Sequence, residues 1–187
     1  GPIARHVGYL DPAGRRDATQ ARLDAAPVAG ADPRPYVFCA VGGGRDGSGL
    51  CEAFVRARMP AGHRGVLVTG TQMADDLRAR VQRVAAERDD MTVLPFLCEP
   101  FGAMAGAARL VGMGGYNTTM ELLSLGRPSL IVPRCAPRRE QIMRTERLAA
   151  RGLVSLLRPE DLGPAAPGDW LAPPAAPPPR APGRGGP

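Results

Sequence analysis

Short apolar runs and helix-patterned stretches alternate along this chain from residue 36 onward, and that rhythm leaves few folds open. Residues 36–41, 65–69, 91–96, 109–113, 128–132 and 153–157 are strand-length and apolar on both faces. Such runs suit a sheet covered on both sides rather than one that meets water. Between them, residues 50–59 carry Leu50, Ala53, Phe54 and Ala57 at helical spacing. Residues 74–88 gather Leu77, Val81, Val84 and Ala85 on one stripe. Further helices are expected at 100–108, at 118–125 with a stop at Gly126, and at 138–151 with a stop at Gly152. A closing turn is expected at 159–162. A helix between successive strands calls for parallel pairing and right-handed crossovers. The expected fold class is therefore α/β, a doubly wound, Rossmann-like parallel sheet. Such sheets bind ligands beyond the carboxyl ends of their strands.

The flanks read differently. Residues 1–34 hold a short apolar run and a turn, then a polar, alanine-rich stretch. They are expected to be an interdomain strand and linker, which would make the chain a fragment or a separately encoded half. Residues 35–162 are the expected ligand-binding domain. Residues 163–187 are nearly all Ala, Pro, Gly and Arg, with Trp170 and Leu171 as their only large apolar side chains. So little apolar surface does not offset the entropy of ordering the segment, and a disordered tail is expected. Docking of Trp170 and Leu171 on the body is the alternative.

The net charge of +6 comes from 24 basic residues that are all arginine, scattered rather than clustered. Aromatic residues make up only 4%, so no stacking platform interleaves with them and a nucleic-acid partner is not expected. Arginine without lysine, alongside abundant Ala, Gly and Pro, matches the codon bias of a high-GC, bacterial genome. Cys39, Cys51, Cys98 and Cys135 form no C-x-x-C pair, so reduced thiols in a cytoplasmic protein are expected, and no metal site. No run is long and apolar enough for a transmembrane helix.

The chemistry-bearing residues fall after strands. Gly42, Gly43 and Gly44 follow the first, in a loop that lacks the Lys-[Ser/Thr] of a P-loop. Phe96 and Leu97 follow the third. Gly114, Gly115, Asn117 and Thr118 follow the fourth and open a helix, where unpaired backbone N–H groups and the positive helix end suit a phosphate. Asn117 is the only asparagine in the chain. Glu121 has two readings: it closes a capping box with Thr118, or its carboxylate accepts hydrogen bonds from a vicinal diol. Arg134 follows the fifth strand and is either a solvated charge or a diphosphate partner, as are Arg138 and Arg139. Glu140 and Gln141 open the next helix, where they either serve the helix dipole or hold sugar hydroxyls. His6 and His63 have no acidic partner in view, and neither is expected to be catalytic.

Taken together, these residues resemble the C-terminal, donor-binding half of GT-B glycosyltransferases. The likeness is nearest to the group that includes the lipid II-forming N-acetylglucosaminyltransferase and the galactolipid synthases. It covers residues 36–162, and its most specific part is strand, Gly114-Gly115-x-Asn117-Thr118-x-x-Glu121, Gly126-x-Pro128, Val132-Pro133 and Glu140-Gln141. The resemblance implies that Phe96 and Leu97 hold the uracil ring. It implies that Gly114, Gly115, Asn117 and Thr118 hold the diphosphate, and that Glu121 binds the ribose. Glu140 and Gln141 would read the donor sugar, with Gly42, Gly43 and Gly44 facing the diphosphate and acceptor across a cleft.

The resemblance further implies an inverting transfer of a hexose from a nucleotide-diphosphate sugar to an acceptor hydroxyl. A UDP-sugar is the expected donor and a dTDP-sugar the other candidate, with no cofactor and no metal required. The general base belongs to an N-terminal acceptor domain or subunit, so no catalytic residue is expected in this chain and little turnover from it alone. A lipid acceptor would place the enzyme at the periphery of a membrane. This sequence departs from the family's pattern at Arg45-Asp46, where the first loop is usually more neutral, and at Arg134, where phenylalanine is common. Two other readings stand beside this one: half of a UDP-sugar epimerase, and a non-enzymatic nucleotide-binding module.

Overall fold

The computed structural model describes Val28 and residues 32–135, 139–163 and 165–172. Its strands are β1 (Tyr36–Ala40), β2 (Arg64–Val68), β3 (Met91–Leu94), β4 (Arg109–Gly112), β5 (Ser129–Ile131) and β6 (Ser155–Leu156). They form one sheet in the order β3-β2-β1-β4-β5-β6, and every neighbouring pair is parallel. The connecting helices are α1 (Ser48–Arg56), α2 (Asp75–Ala86), α3 (Phe101–Gly106), α4 (Tyr116–Leu125) and α5 (Glu140–Ala149). A 3-10 turn at Pro159–Asp161 and a short α6 (Ala166–Leu171) follow β6. This is the doubly wound α/β fold that the alternating pattern calls for.

Side-chain alternation along the strands divides the core in two. Val37 and Cys39 of β1 join Leu67, Val111 and Leu130 beneath Leu50 and Phe54 of α1 and Leu77 and Val81 of α2. Tyr36 and Phe38 face the other way, with Val66, Leu110 and Ile131 under Met104 of α3, Leu122 of α4 and Leu148 of α5. Burial on both sides explains why the strands lack polar alternation. It also pushes the Cys39 thiol well above its ordinary pKa, and that of Cys51 up to about 12. All four cysteines are free. Helix α4 stops at Gly126, which takes the left-handed conformation (φ 60) that a side chain would disfavour.

The amino-terminal edge of the sheet is fastened by arginines. Arg64, the first residue of β2, donates to the carbonyl of buried Val28 and lies 3.7 Å from the Asp32 carboxylate. Arg34 pairs with the same carboxylate at 2.7 Å, and its hydrogen bond holds the Asp32 carboxyl down at about 2. At the start of β4, the Arg109 guanidinium lies 5.5 Å over the Trp170 ring and donates to the Trp170 carbonyl at 3.1 Å.

That last contact reaches past Leu162, into the segment where docking was the alternative to a disordered tail. Residues 165–172 are ordered against the body, and Leu171 is fully buried among the side chains of the α1 face. One leucine, a stacked arginine and the close approach of Gly168 to the Arg58 backbone suffice to dock a segment that composition alone places outside the core. The rest of the expected tail, 173–187, and most of the expected linker, 1–27, lie outside the described residues.

Candidate functional site

The strand register sets the site. Ala40 of β1 lies level with Val68 of β2 and Gly112 of β4, so the loops that follow leave the sheet side by side. The loop after β1 is pressed against the one after β2. Gly44 has φ +96, and a Cβ there would run into the Thr69 carbonyl oxygen, so only glycine fits. Gln72 fixes the second loop by donating its backbone N–H to the Gly43 carbonyl at 2.7 Å.

After β4, Gly115 is the residue that opens α4, and no side chain caps the helix. The capping-box reading of Thr118 and Glu121 is therefore overturned. The helix begins at Tyr116, earlier than the spacing predicts, which puts Thr118 inside the first turn and Glu121 in the second. Thr119 instead donates its hydroxyl to the Gly115 carbonyl at 2.7 Å. The first turn of a helix has backbone N–H groups without intrahelical acceptors and a positive dipole end. Here they open toward the glycine loop of β1.

The loop after β5 closes the third side. Arg134 reaches Asp46 of the first loop with an Nη1–Oδ2 distance of 2.6 Å. Its backbone N–H donates to the Gln141 side-chain oxygen at 3.1 Å. Further along α5, Arg144 donates to the Gly114 carbonyl and to the Glu140 carboxylate, each at 3.0 Å, with its guanidinium 5.5 Å over the Tyr116 ring. Arg144 thus ties the start of α5 to the start of α4.

These loops enclose a cavity of about 420 Å³, within the size range of small-ligand sites. Gly42, Gly43, Gly44, Gly115, Thr118, Arg134 and Gln141 line it, which brings together residues drawn from three separate loops. Other expected site residues stand elsewhere. Gly114 is buried behind the wall, where a Cβ would meet Thr145, Gln141 and Pro133 at 3.1–3.2 Å. Asn117 is exposed on the first turn of α4 and Glu121 half-buried on the second. Phe96 is exposed beyond β3, whereas the Leu97 side chain belongs to the core and leaves only its backbone for a ligand. Glu140 lines a separate hollow with Met143, Arg144 and Arg147. Arg138 lies outside the described residues.

Gln72 lines the cavity and was not among the expected residues. Its signal was topological: β2 pairs with β1, so the loop after β2 abuts the glycine loop. His63 sits in the turn before β2, with Nδ1 3.0 Å from the Ala61 carbonyl oxygen, on the edge opposite the cavity. Among the described residues, no group of three or more His, Cys, Asp or Glu side chains gathers that could hold a metal ion. No described helix is long and apolar enough to cross a membrane.

By sequence, no family model and no curated protein matches the chain. By structure, 67 solved chains match. One is the glycosyltransferase VinC in complex with dTDP, with a TM-score of 0.55 and 21% identity over 75% of this chain and 33% of that one. Another is MurG of Acinetobacter baumannii, with a TM-score of 0.59 and 21% identity over 74% of this chain and 42% of that one. A third is CalG4, the calicheamicin glycosyltransferase, with a TM-score of 0.56 and 18% identity over 74% and 34%. At this level of identity the likeness is one of fold, the fold of GT-B glycosyltransferases. The chain spans between 33% and 42% of the length of these proteins.

Proposed function

We propose that this chain is the donor-binding half of an inverting glycosyltransferase that transfers a hexose from a nucleotide-diphosphate sugar, UDP-linked in the first instance, to an acceptor hydroxyl. The observation that carries this reading is the convergence, around one cavity, of the uncapped start of α4, the glycine loop of β1, Arg134 and Gln141. The two loops and the helix end hold the diphosphate. Glu121, one turn further along α4, accepts the ribose hydroxyls, and the base lies toward Phe96 and the Leu97 backbone. Gln141 and Glu140 address the sugar. The fold shared with VinC, itself crystallised with dTDP, supports a nucleotide as the ligand.

In the reaction, an acceptor hydroxyl loses its proton to a base supplied by another domain or subunit and attacks the anomeric carbon opposite the leaving group. The bond from that carbon to the diphosphate oxygen breaks. The negative charge that grows on the departing diphosphate is met by the backbone N–H groups of α4 and by Arg134. Preorganised donors of this kind are the contribution of this half.

Calorimetry with UDP and dTDP tests the reading: millimolar or tighter binding is expected, and no binding of either overturns it. Glu121→Ala is expected to weaken UDP binding by at least about tenfold, in line with losing charge-assisted hydrogen bonds. A melting curve of the same variant, taken beside the isotherm, separates a loss of binding from a loss of fold.

One observation favours a second reading, a nucleotide-binding module without transfer chemistry. Glu140 is engaged by Arg144 and lines a separate hollow, which splits the sugar-reading pair. Equal affinity for UDP and every UDP-sugar tried would favour that module. Tighter binding of one UDP-sugar favours the transferase.

A further inference from the structure

Arg134 and Asp46 lie 88 residues apart in sequence, yet their side chains meet across the mouth of the cavity at 2.6 Å. The pair is half-exposed, at 35% and 45% of side-chain surface, so it adds little to folding stability. Its geometry is more telling. A guanidinium offers a planar fork of five N–H donors. Asp46 takes only Nη1, which leaves the Nε–Nη2 edge, the side-on face that binds two phosphate oxygens at once. Nε has little exposed surface and no acceptor among the described residues, an unfavourable state for a donor that a ligand oxygen on the open Nη2 side would relieve. Both partners are also held from behind, Arg134 through its backbone bond to Gln141 and the Asp46 loop through the bond from Cys51 N–H to the Gly47 carbonyl.

We infer that Asp46 is a positioning residue for the donor's diphosphate: by holding Nη1 of Arg134 it presents the Nε–Nη2 edge to a pair of phosphate oxygens. The inference rests on the donor-site reading and deepens it. Asp46 lines the same cavity, but its part is to hold Arg134 rather than to bond the diphosphate. Paired with Arg134, its carboxylate is neutralised and does not repel the incoming anion. Unpaired, Arg134 would swing through many rotamers and lose its side-on approach. Selection for a diphosphate over an uncharged ligand therefore depends on a carboxylate that does not itself bond the anion.

The test is calorimetry on the full 187-residue chain, using UDP, inorganic pyrophosphate and uridine as probes. Arg134→Ala is expected to weaken UDP and pyrophosphate by at least about tenfold and leave uridine unchanged. Arg134→Lys is expected to lose nearly as much, because an ammonium has no side-on edge. Asp46→Asn, which keeps size and shape, is expected to weaken UDP by about three- to tenfold, and to cost nothing further when Arg134 is already alanine. Tighter UDP binding by Asp46→Asn, the same loss in both backgrounds, or an equal loss for uridine would each overturn the inference. Wild-type binding of pyrophosphate but not UDP, with the same variant pattern, would sink the donor reading and support the pair. Normal UDP binding by Asp46→Asn would sink the pair and spare the donor reading, and a wild type that binds no probe sinks both.

Discussion

The side-chain oxygen of Gln141 accepts the backbone N–H of Arg134 at 3.1 Å, so the first turn of α5 holds the loop that follows β5. Gln141 is therefore part of the wall as well as a candidate ligand contact, and its two roles can be separated. Gln141→Ala removes the acceptor and is expected to cost about 1 kcal/mol of stability together with UDP affinity. Gln141→Glu keeps an oxygen for the Arg134 N–H but loses the amide donor and adds negative charge beside the anion. Melting curves are expected to rank the glutamate variant near wild type, while calorimetry ranks it at or below the alanine variant.

Leu171 tests the docking of the C-terminal helix. It is fully buried against the α1 face, and Leu171→Ala is expected to destabilise the protein by about 2–4 kcal/mol, the range for truncating a buried leucine. UDP affinity is expected to stay at the wild-type value, since Trp170 is anchored at the opposite edge from the cavity. A denaturant titration and a binding isotherm check the two halves of this expectation.

The thiols give a dependence on alkaline pH. Burial raises the Cys39 pKa well above its ordinary value of 9.0 and that of Cys51 to about 12, so the folded state keeps protons that the unfolded chain releases. Stability is therefore expected to fall as pH rises through 9 toward about 12. Replacing both cysteines with alanine should flatten that slope. At pH 8, a thiol reagent is expected to modify exposed Cys98 in the native protein and to reach Cys39 and Cys51 only after denaturation.

Asp32 gives the opposite sign at acid pH. Its carboxyl is held at about 2, against an ordinary 3.8, chiefly by the Arg34 hydrogen bond. A depressed carboxylate stabilises the fold above the unfolded pKa, and that contribution is lost as pH falls through the folded one. Asp32→Asn is expected to melt below wild type at pH 7, with the gap closing between pH 4 and pH 2. Melting curves across that window check it.

The fold was legible because the strands are apolar on both faces and the helices between them carry regular stripes; residues such as Val37, Leu67 and Leu130 leave no other arrangement. The start of α4 was less so. Thr118 and Glu121 have capping-box spacing, yet the backbone already turns helical at Tyr116, because Gly115 serves as the cap without a side chain. Leu97 follows its strand as a ligand-facing residue would, but its side chain is claimed by the core that also holds Val68 and Met104. Gln72 and the Asp46–Arg134 pair depend on which strands are neighbours, and sequence spacing does not carry that information. The docking of residues 165–172 was hidden for a similar reason: Arg109, which holds Trp170, and Arg58, which Gly168 approaches, lie far back along the chain.

Because every strand runs the same way, the arginine fastenings of Arg64, Arg34 and Arg109 all fall on one rim of the sheet, and the glycine loops fall on the other. A strand of four or five residues, roughly 15 Å at the rise of a β-strand, separates the two rims. Substitutions on the fastened rim can thus retune how firmly the molecule holds together while the pocket keeps its shape. On the other rim, substitutions that spare the loop-holding contacts of Gly44 and Gln141 can change ligand preference while the fastenings stay as they are. The two properties rest largely on different residues, so selection can act on them at different places.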